Sequence, residues 1–281
     1  MSFGSRAHVA MAAYGPACVG IDPHASLLAD WGLPDNVEGL DRFASLCVEA
    51  FAGHAAFVKP QSAFFERFGA RGVVVLERTI QDLRHTGSLV ILDVKRGDIG
   101  STAAAYADAY LDEDAPMAAD AITVSPYLGF GSLQSFFDVV DKNDAGVFVL
   151  ALTSNKGGPE VQQALLRRGP AAGDGGADQT VAGGILTQLA TLNAGSSPMG
   201  SFGAVVGATL GDVAEDLDIN GPLLVPGFGA QGGTADDIRR LFGAVMDTVI
   251  PSTSRAVLST GPDVQALRDS VARVNAELVG S

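Results

Sequence analysis

Eight short apolar runs, each ending in polar or charged residues, recur along this 281-residue chain. They lie at 17–21, 56–58, 89–92, 121–124, 146–152, 204–207, 223–225 and 248–250. Runs this short and this apolar suit strands buried on both faces. The intervening stretches have helical spacing. Residues 39–54 place Leu40, Phe43, Ala44, Cys47 and Phe51 on one face, and 70–85 do the same with Val73, Val74, Leu76, Ile80 and Leu83. Further helices are expected at 1–15, 101–112, 131–142, 160–166, 179–193, 235–243 and 262–278. Strands alternating with helices imply a parallel sheet. Eight such units in this length predict an α/β fold of the (β/α)8 TIM-barrel type, with an open doubly wound sheet as the alternative. No linker or fixed-period repeat breaks the pattern, so 1–281 is expected to be a single (β/α)8 barrel domain. Its one irregularity is a glycine-rich insertion near 167–180, whose Gly169–Gly176 core predicts a surface excursion.

Composition narrows the function. Lys plus Arg number 18 against 32 Asp plus Glu, a net charge of −14. That balance argues against non-specific nucleic-acid binding. An anionic ligand needs local positive charge against such a background, which gives weight to the few well-placed lysines and arginines. Cys18 and Cys47 stand alone, as reduced buried thiols do, and no Cys/His spacing suggests zinc. No run of about 18 apolar residues occurs, so no membrane span is expected and a cytoplasmic location is.

Polar residues collect just after the strands: Asp22, Lys59, Asp93, Lys95, Ser125, Ser154, Gln231 and Arg255. In a barrel these strand ends open on one face and converge around one mouth. The densest stretch is Leu89 to Thr102, which contains Asp93, Lys95 and Asp98. Asp93 and Lys95 are two apart, so on a strand they point to the same side. Lys59, at the end of the second strand, is placed to pair with Asp93. Alternating Lys59, Asp93, Lys95 and Asp98 compensate one another's burial, each carboxylate favouring the charged ammonium beside it. An ammonium in a dry site can donate a proton to a carbanion. It is poorly suited to Schiff-base chemistry, which needs a neutral amine.

Pro226 to Gly233 carries Gly227-x-Gly229-x-x-Gly232 between a strand and a helix. The pattern matches a dinucleotide fingerprint, but it follows the seventh strand and lacks a convincing ribose acid. A phosphate cradle is the preferred reading, with a simple tight turn as the alternative. Gly229, Gly232 and Gly233 would let backbone N–H groups approach an anion, the next helix would add its dipole, and Gln231 could donate. Arg255, after the eighth strand, would clamp the same anion as a charge-assisted fork.

At this point the sequence resembles orotidine 5′-phosphate decarboxylases of the bacterial type 2 branch. The resemblance rests on Cys18–His24 (CVGIDPH), Val58–Gly69 (VKPQSAFFERFG), Leu92–Thr102 (LDVKRGDIGST) and Thr123–Gly129 (TVSPYLG). It extends to Leu152–Asn155 (LTSN), Val206–Thr209 (VGAT), Pro226–Gly233 (PGFGAQGG) and Ser254-Arg255, covering about residues 3–270 in one order. The resemblance implies conversion of orotidine 5′-phosphate to uridine 5′-phosphate and CO2, the last step of de novo UMP synthesis. It implies no metal and no organic cofactor. It also implies a homodimer in which Asp98, Ile99 and Thr102 reach the partner's site. By the same resemblance Lys59, Asp93, Lys95 and Asp98 form a charged tetrad with Lys95 the proton donor. Asp22 and Lys59 hold the ribose, assisted by Thr102 of the partner. Ser154 binds the pyrimidine, with Thr153 and Ser125 as alternatives, and Gln231 and Arg255 bind phosphate.

Two rivals remain at this level. A metal-dependent sugar-phosphate enzyme on the same architecture needs His or Glu ligands at strand ends, where this chain has Lys59 and Lys95. A non-catalytic phosphate-ligand binder needs only Gln231 and Arg255, not the four charged residues.

Overall fold

The computed structural model describes residues 1–166, 179–230 and 232–280. Its strands are β1 (Cys18–Ile21), β2 (Phe57–Pro60), β3 (Leu89–Arg96), β4 (Ala121–Val124), β5 (Gly146–Leu152), β6 (Phe202–Val206), β7 (Leu223–Pro226) and β8 (Val249–Thr253). They pair in chain order, all in parallel, and β1 closes on β8 through Cys18↔Ser252 and Val19↔Thr253. Closure removes the doubly wound alternative. It also explains why β1, β2, β4 and β6 are buried throughout: side chains fill the inside and helices cover the outside.

Alternation sorts the strand residues into two apolar layers. Cys18, Phe57, Leu89, Ile91, Ala121, Phe148, Val205, Leu224 and Ile250 fill the barrel interior. Val19, Val58, Val90, Leu92, Ile122, Val147, Val149 and Val249 pack outward against the helices. The helix Phe3–Tyr14 seals the amino-terminal end of the barrel, with Phe3 and Ala7 buried in the interior layer. The Phe3 ring meets Phe148 edge-on at 5.9 Å between centroids. Gly146 makes that fit possible, because a Cβ there would lie 2.4 Å from the Phe3 ring. With one end plugged by hydrocarbon, the interior side chains of Lys59, Asp93, Lys95 and Thr123 line a cavity at the other.

Several expectations shift. No helix lies between β6 and β7: residues 207–222 hold Gly207, Gly211, Asn220, Gly221 and Pro222 and have no helical apolar repeat. The helix Gly69–His85 buries Gly72, Val75, Leu76, Thr79, Ile80 and Leu83, while Val74 faces solvent. Three consecutive valines span about 200° of a helix, so they cannot share one face. Two short helices, Ala25–Asp30 and Ser62–Glu66, follow β1 and β2. The helix expected at 160–166 is Gly158–Gln162. Residues 167–178 of the glycine-rich insertion lie outside the described residues. Its flanks are tied together: Leu165 bridges Thr180, and the Leu166 N–H donates to the Gln179 carbonyl at 2.8 Å. Cys18 and Cys47 are free and buried. Among the described residues no helix is long and apolar enough to cross a membrane.

Candidate active site

The carboxyl ends of the strands surround a cavity of about 610 Å³. Lys59 from β2 and Asp93 and Lys95 from β3 line one wall. Lys59 Nζ donates to Asp93 Oδ2 at 3.3 Å, and Lys95 Nζ donates to Asp93 Oδ1 at 2.6 Å. The Thr123 hydroxyl donates to the same Oδ1 at 2.7 Å. Lys59 and Asp93 are only 6% and 7% exposed, whereas the Lys95 side chain is 48% exposed. Both ammoniums line the cavity, and Lys95 is the more open of the two to a ligand from above.

The charges stabilise one another. Burial alone would raise the Asp93 pKa, but Lys59, Lys95 and the hydrogen bonds from Lys95 and Thr123 bring it down from 3.8 to about 2. Burial alone would lower the Lys59 pKa, yet Asp93 and then Asp22 hold it above the ordinary lysine range. Below this array Cys18 lies in the apolar interior, where burial pushes its thiol up to about 12. That thiol is inert at neutral pH.

Two buried polar atoms in the lining lack a hydrogen-bond partner among the described residues: Asp22 Oδ1 and Thr253 Oγ1. Orphaned buried acceptors are costly, so a cavity that holds one is shaped for a donor from a ligand. Of the alternatives for the base contact, Ser125 lines a neighbouring apolar recess of about 510 Å³ instead. The Thr153 hydroxyl is engaged by Gln162 at 2.6 Å and by Asn155 at 2.5 Å. Ser154 lines the cavity and has no side-chain partner among the described residues.

At the opposite wall Arg255 opens the short helix Arg255–Leu258 and lines the cavity with Pro226, Gly227, Phe228 and Ala230. The loop glycines behave differently from the simple cradle. Gly227, Gly229 and Gly232 have φ of +106°, +76° and +94°. The N–H groups of Gly229, Gly232 and Gly233 donate to the carbonyls of Gly233, Gly229 and Gly227 at 2.8, 2.8 and 3.1 Å. These glycines close the loop on itself, so they contribute shape rather than free donors. The next helix, Ala235–Phe242, is likewise spent at its start. Thr234 and Asp237 form a reciprocal cap, and Asp236 and Asp237 occupy its first turn. Two carboxylates there offset the dipole that an anion would use. Gln231 lies outside the described residues.

Asp98, Ile99 and Thr102 stand apart from the cavity of their own chain, where the helix Gly100–Leu111 begins. Asp98 is half-buried and its carboxylate accepts the Ile99 N–H at 2.8 Å, while Ile99 and Thr102 are exposed. Within one chain the expected tetrad is thus a triad. Sequence reading missed Thr123, His24, Gln61, Asn155, Gln162 and Ser252, which also line the cavity. Gln61 and Ser252 were marked by position, at or just beyond strand ends; Gln162 was not, since only the return of its helix brings it to Thr153. A larger recess, about 1010 Å³, lies at the amino-terminal end of the barrel. Its Arg6 and Arg84 are already paired with Asp120, which leaves no free cation for a ligand in that pair.

Comparison with known proteins follows the same lines. The family model described as orotidine 5′-phosphate decarboxylase / HUMPS family matches residues 15–270. A Nocardioides sp. protein named orotidine 5′-phosphate decarboxylase is 62% identical over 277 residues, 98% of each chain. One of the same name from Streptomyces coelicolor is 58% identical, covering 98% of this chain and 96% of its own. A crystal structure of a Streptomyces avermitilis protein assigned the same activity superposes with a TM-score of 0.92 at 57% identity, over 99% of this chain and 94% of that one.

Proposed function

Because the chain belongs to the orotidine 5′-phosphate decarboxylase / HUMPS family, we propose that its chemistry is done by the Lys59–Asp93–Lys95 array. Its reaction is the decarboxylation of orotidine 5′-phosphate to uridine 5′-phosphate and CO2, the last step of UMP synthesis. The observation that carries the site reading is the single carboxylate held between two ammoniums, at 3.3 and 2.6 Å, at the carboxyl end of the barrel strands.

Losing CO2 from C6 of the pyrimidine leaves an electron pair in the ring plane, where the π-system cannot spread it. Stabilisation has to come from fixed positive charge already in place. The Lys95 ammonium supplies it. The C6–carboxylate bond breaks, its electron pair stays on C6, and a proton passes from Lys95 Nζ to C6; solvent then restores the ammonium. Asp93 lies where the substrate carboxylate enters, so repulsion between them is relieved as CO2 leaves. No step calls for a metal or an organic cofactor.

Asp22, with its orphaned Oδ1, and Lys59 take the ribose hydroxyls. Ser154 takes the base. Arg255 takes the phosphate, with Gln231 adjacent in sequence to the same loop. Phosphate binding is remote from the breaking bond and serves to orient the base. Asp98, Ile99 and Thr102 enter the partner's cavity in a homodimer. Ile99 at 60% exposed and Tyr127 at 78% exposed, on the loops after β3 and β4, support an apolar contact there. Residues 1–281 form one barrel domain with the glycine-rich insertion near 167–180, and the protein works in the cytoplasm, where its charged nucleotide substrate is retained.

Mixing the protein with orotidine 5′-phosphate in excess chelator is expected to remove the orotate ultraviolet absorbance. Persistence of that absorbance, with uridine 5′-phosphate still bound, would leave a binder or a metal-dependent enzyme. Lys95→Ala is expected to lower turnover by several orders of magnitude while uridine 5′-phosphate still binds. Near-normal turnover in that variant removes Lys95 as proton donor.

A further inference from the structure

We propose that Thr123 is a positioning residue that sets both Asp93 and Lys95, although it belongs to a different strand from either. The inference rests on the role given above to those two residues. Pairing between β3 and β4 runs Ile91↔Ala121 and Leu92↔Ile122, then resumes only at Arg96↔Val124. Asp93, Val94 and Lys95 therefore face one residue of β4, Thr123. This is a bulge, a device that re-aims side chains next to active sites.

The bulge has a cost at Lys95. Its φ is +44°, a left-handed conformation that residues with a Cβ avoid. Its N–H has also lost the carbonyl that a regular ladder would supply. Thr123 Oγ1 takes that place, accepting the Lys95 N–H at 3.0 Å. A backbone N–H can only donate, so the hydroxyl's own proton is left for Asp93 Oδ1, at 2.7 Å. The same Oδ1 accepts from Lys95 Nζ at 2.6 Å. The result is a closed ring: Lys95 backbone, Thr123 hydroxyl, Asp93 carboxylate, Lys95 ammonium. Beyond it the ladder resumes, with the Ser125 N–H on the Arg96 carbonyl at 2.7 Å.

Thr123 is 1% exposed, so water does not readily replace its hydroxyl. Only a side chain with donor and acceptor on the same γ atom can serve both neighbours, which restricts the position to Thr or Ser. Ribose and phosphate contacts come from β1, β2 and the loops after β7 and β8. Loss of the Thr123 hydroxyl should therefore be felt in the chemical step and not in holding the ligand.

The test compares Thr123→Val, which keeps the shape, with Thr123→Ser, which keeps the hydroxyl, and with Lys95→Ala. Thr123→Val is expected to lower kcat by about 10- to 100-fold, with affinity for uridine 5′-phosphate within about 2-fold of the parent and Thr123→Ser within about 3-fold in kcat. If Thr123→Val does not fold, Thr123→Ala against Thr123→Ser gives the same comparison. An unchanged kcat in the hydroxyl-free variant overturns the proposal. So does an equal loss in the Ser variant, or a loss confined to ligand affinity. Lys95→Ala with full turnover would instead overturn the underlying site reading.

Discussion

Asp93→Asn is expected to cost the fold more than Lys59→Met, although the two residues form one ion pair. The asymmetry comes from what each leaves behind. Without the Lys59 ammonium, Asp93 keeps Lys95 at 2.6 Å and Thr123 at 2.7 Å, so the loss is about 1–2 kcal/mol. Without the Asp93 charge, the Lys59 ammonium, 6% exposed, loses its only ion-pair partner among the described residues, and only the more distant Asp22 remains. Removing one partner of a buried pair typically costs about 3–5 kcal/mol, which for a chain of this size is a drop of roughly 10 °C in Tm. The double variant should lose less than the two singles together by about 1–3 kcal/mol, because neither charge is then stranded. Urea unfolding at one fixed protein concentration reads all three. Alkaline pH adds a signature. In Asp93→Asn the burial of Lys59 stays while the support of Asp93 is gone, so the Lys59 pKa falls relative to the parent and the stability gap between parent and variant narrows as pH rises through the lysine range. A cost for Asp93→Asn below about 1 kcal/mol, or a larger cost for Lys59→Met, would refute the reasoning.

Three further outcomes follow from the geometry. Arg255→Ala should weaken uridine 5′-phosphate binding by about 10- to 100-fold by titration calorimetry, as expected for one charged hydrogen-bonding partner; an unchanged affinity removes Arg255 from the site. The Asp93 pKa is lowered in the fold from 3.8 to about 2, so its stabilisation, about 2 kcal/mol, is present above pH about 4 and lost as pH falls through about 2. The urea midpoint of the parent, less that of Asp93→Asn, should shrink over that window, and a constant difference would show that Asp93 is not depressed. Gly146→Ala puts a methyl 2.4 Å from the Phe3 ring and should cost about 1–3 kcal/mol by loosening the helix Phe3–Tyr14. An unchanged Tm would mean that this helix does not plug the barrel tightly.

The triad was legible because strand burial is a local property. An apolar run of this length has to be covered on both faces, and a charge at its end has to face a cavity. Lys59, Asp93 and Lys95 could therefore be placed at one mouth before any contact was seen. The glycine loop was legible only as a loop. Its N–H groups turn on its own carbonyls, and Asp236 and Asp237 occupy the start of the following helix. Which groups a loop satisfies internally depends on backbone torsions that its composition leaves free.

What the chain by itself determined is the repeating order of strands and helices and the charges at the strand ends. These follow from solvation, which acts residue by residue. Only the tertiary structure decided the rest. Ser154 is left open because Gln162, from a returning helix, ties up Thr153. Asp98 stands apart from the triad because β3 ends at Arg96 and Asp98 lies beyond it, before the helix Gly100–Leu111. Thr123 holds Asp93 and Lys95 because β3 carries two more residues than β4 across the bulge. Register is a relation between two strands, and the hydrogen bonds it misplaces exist only once both are paired.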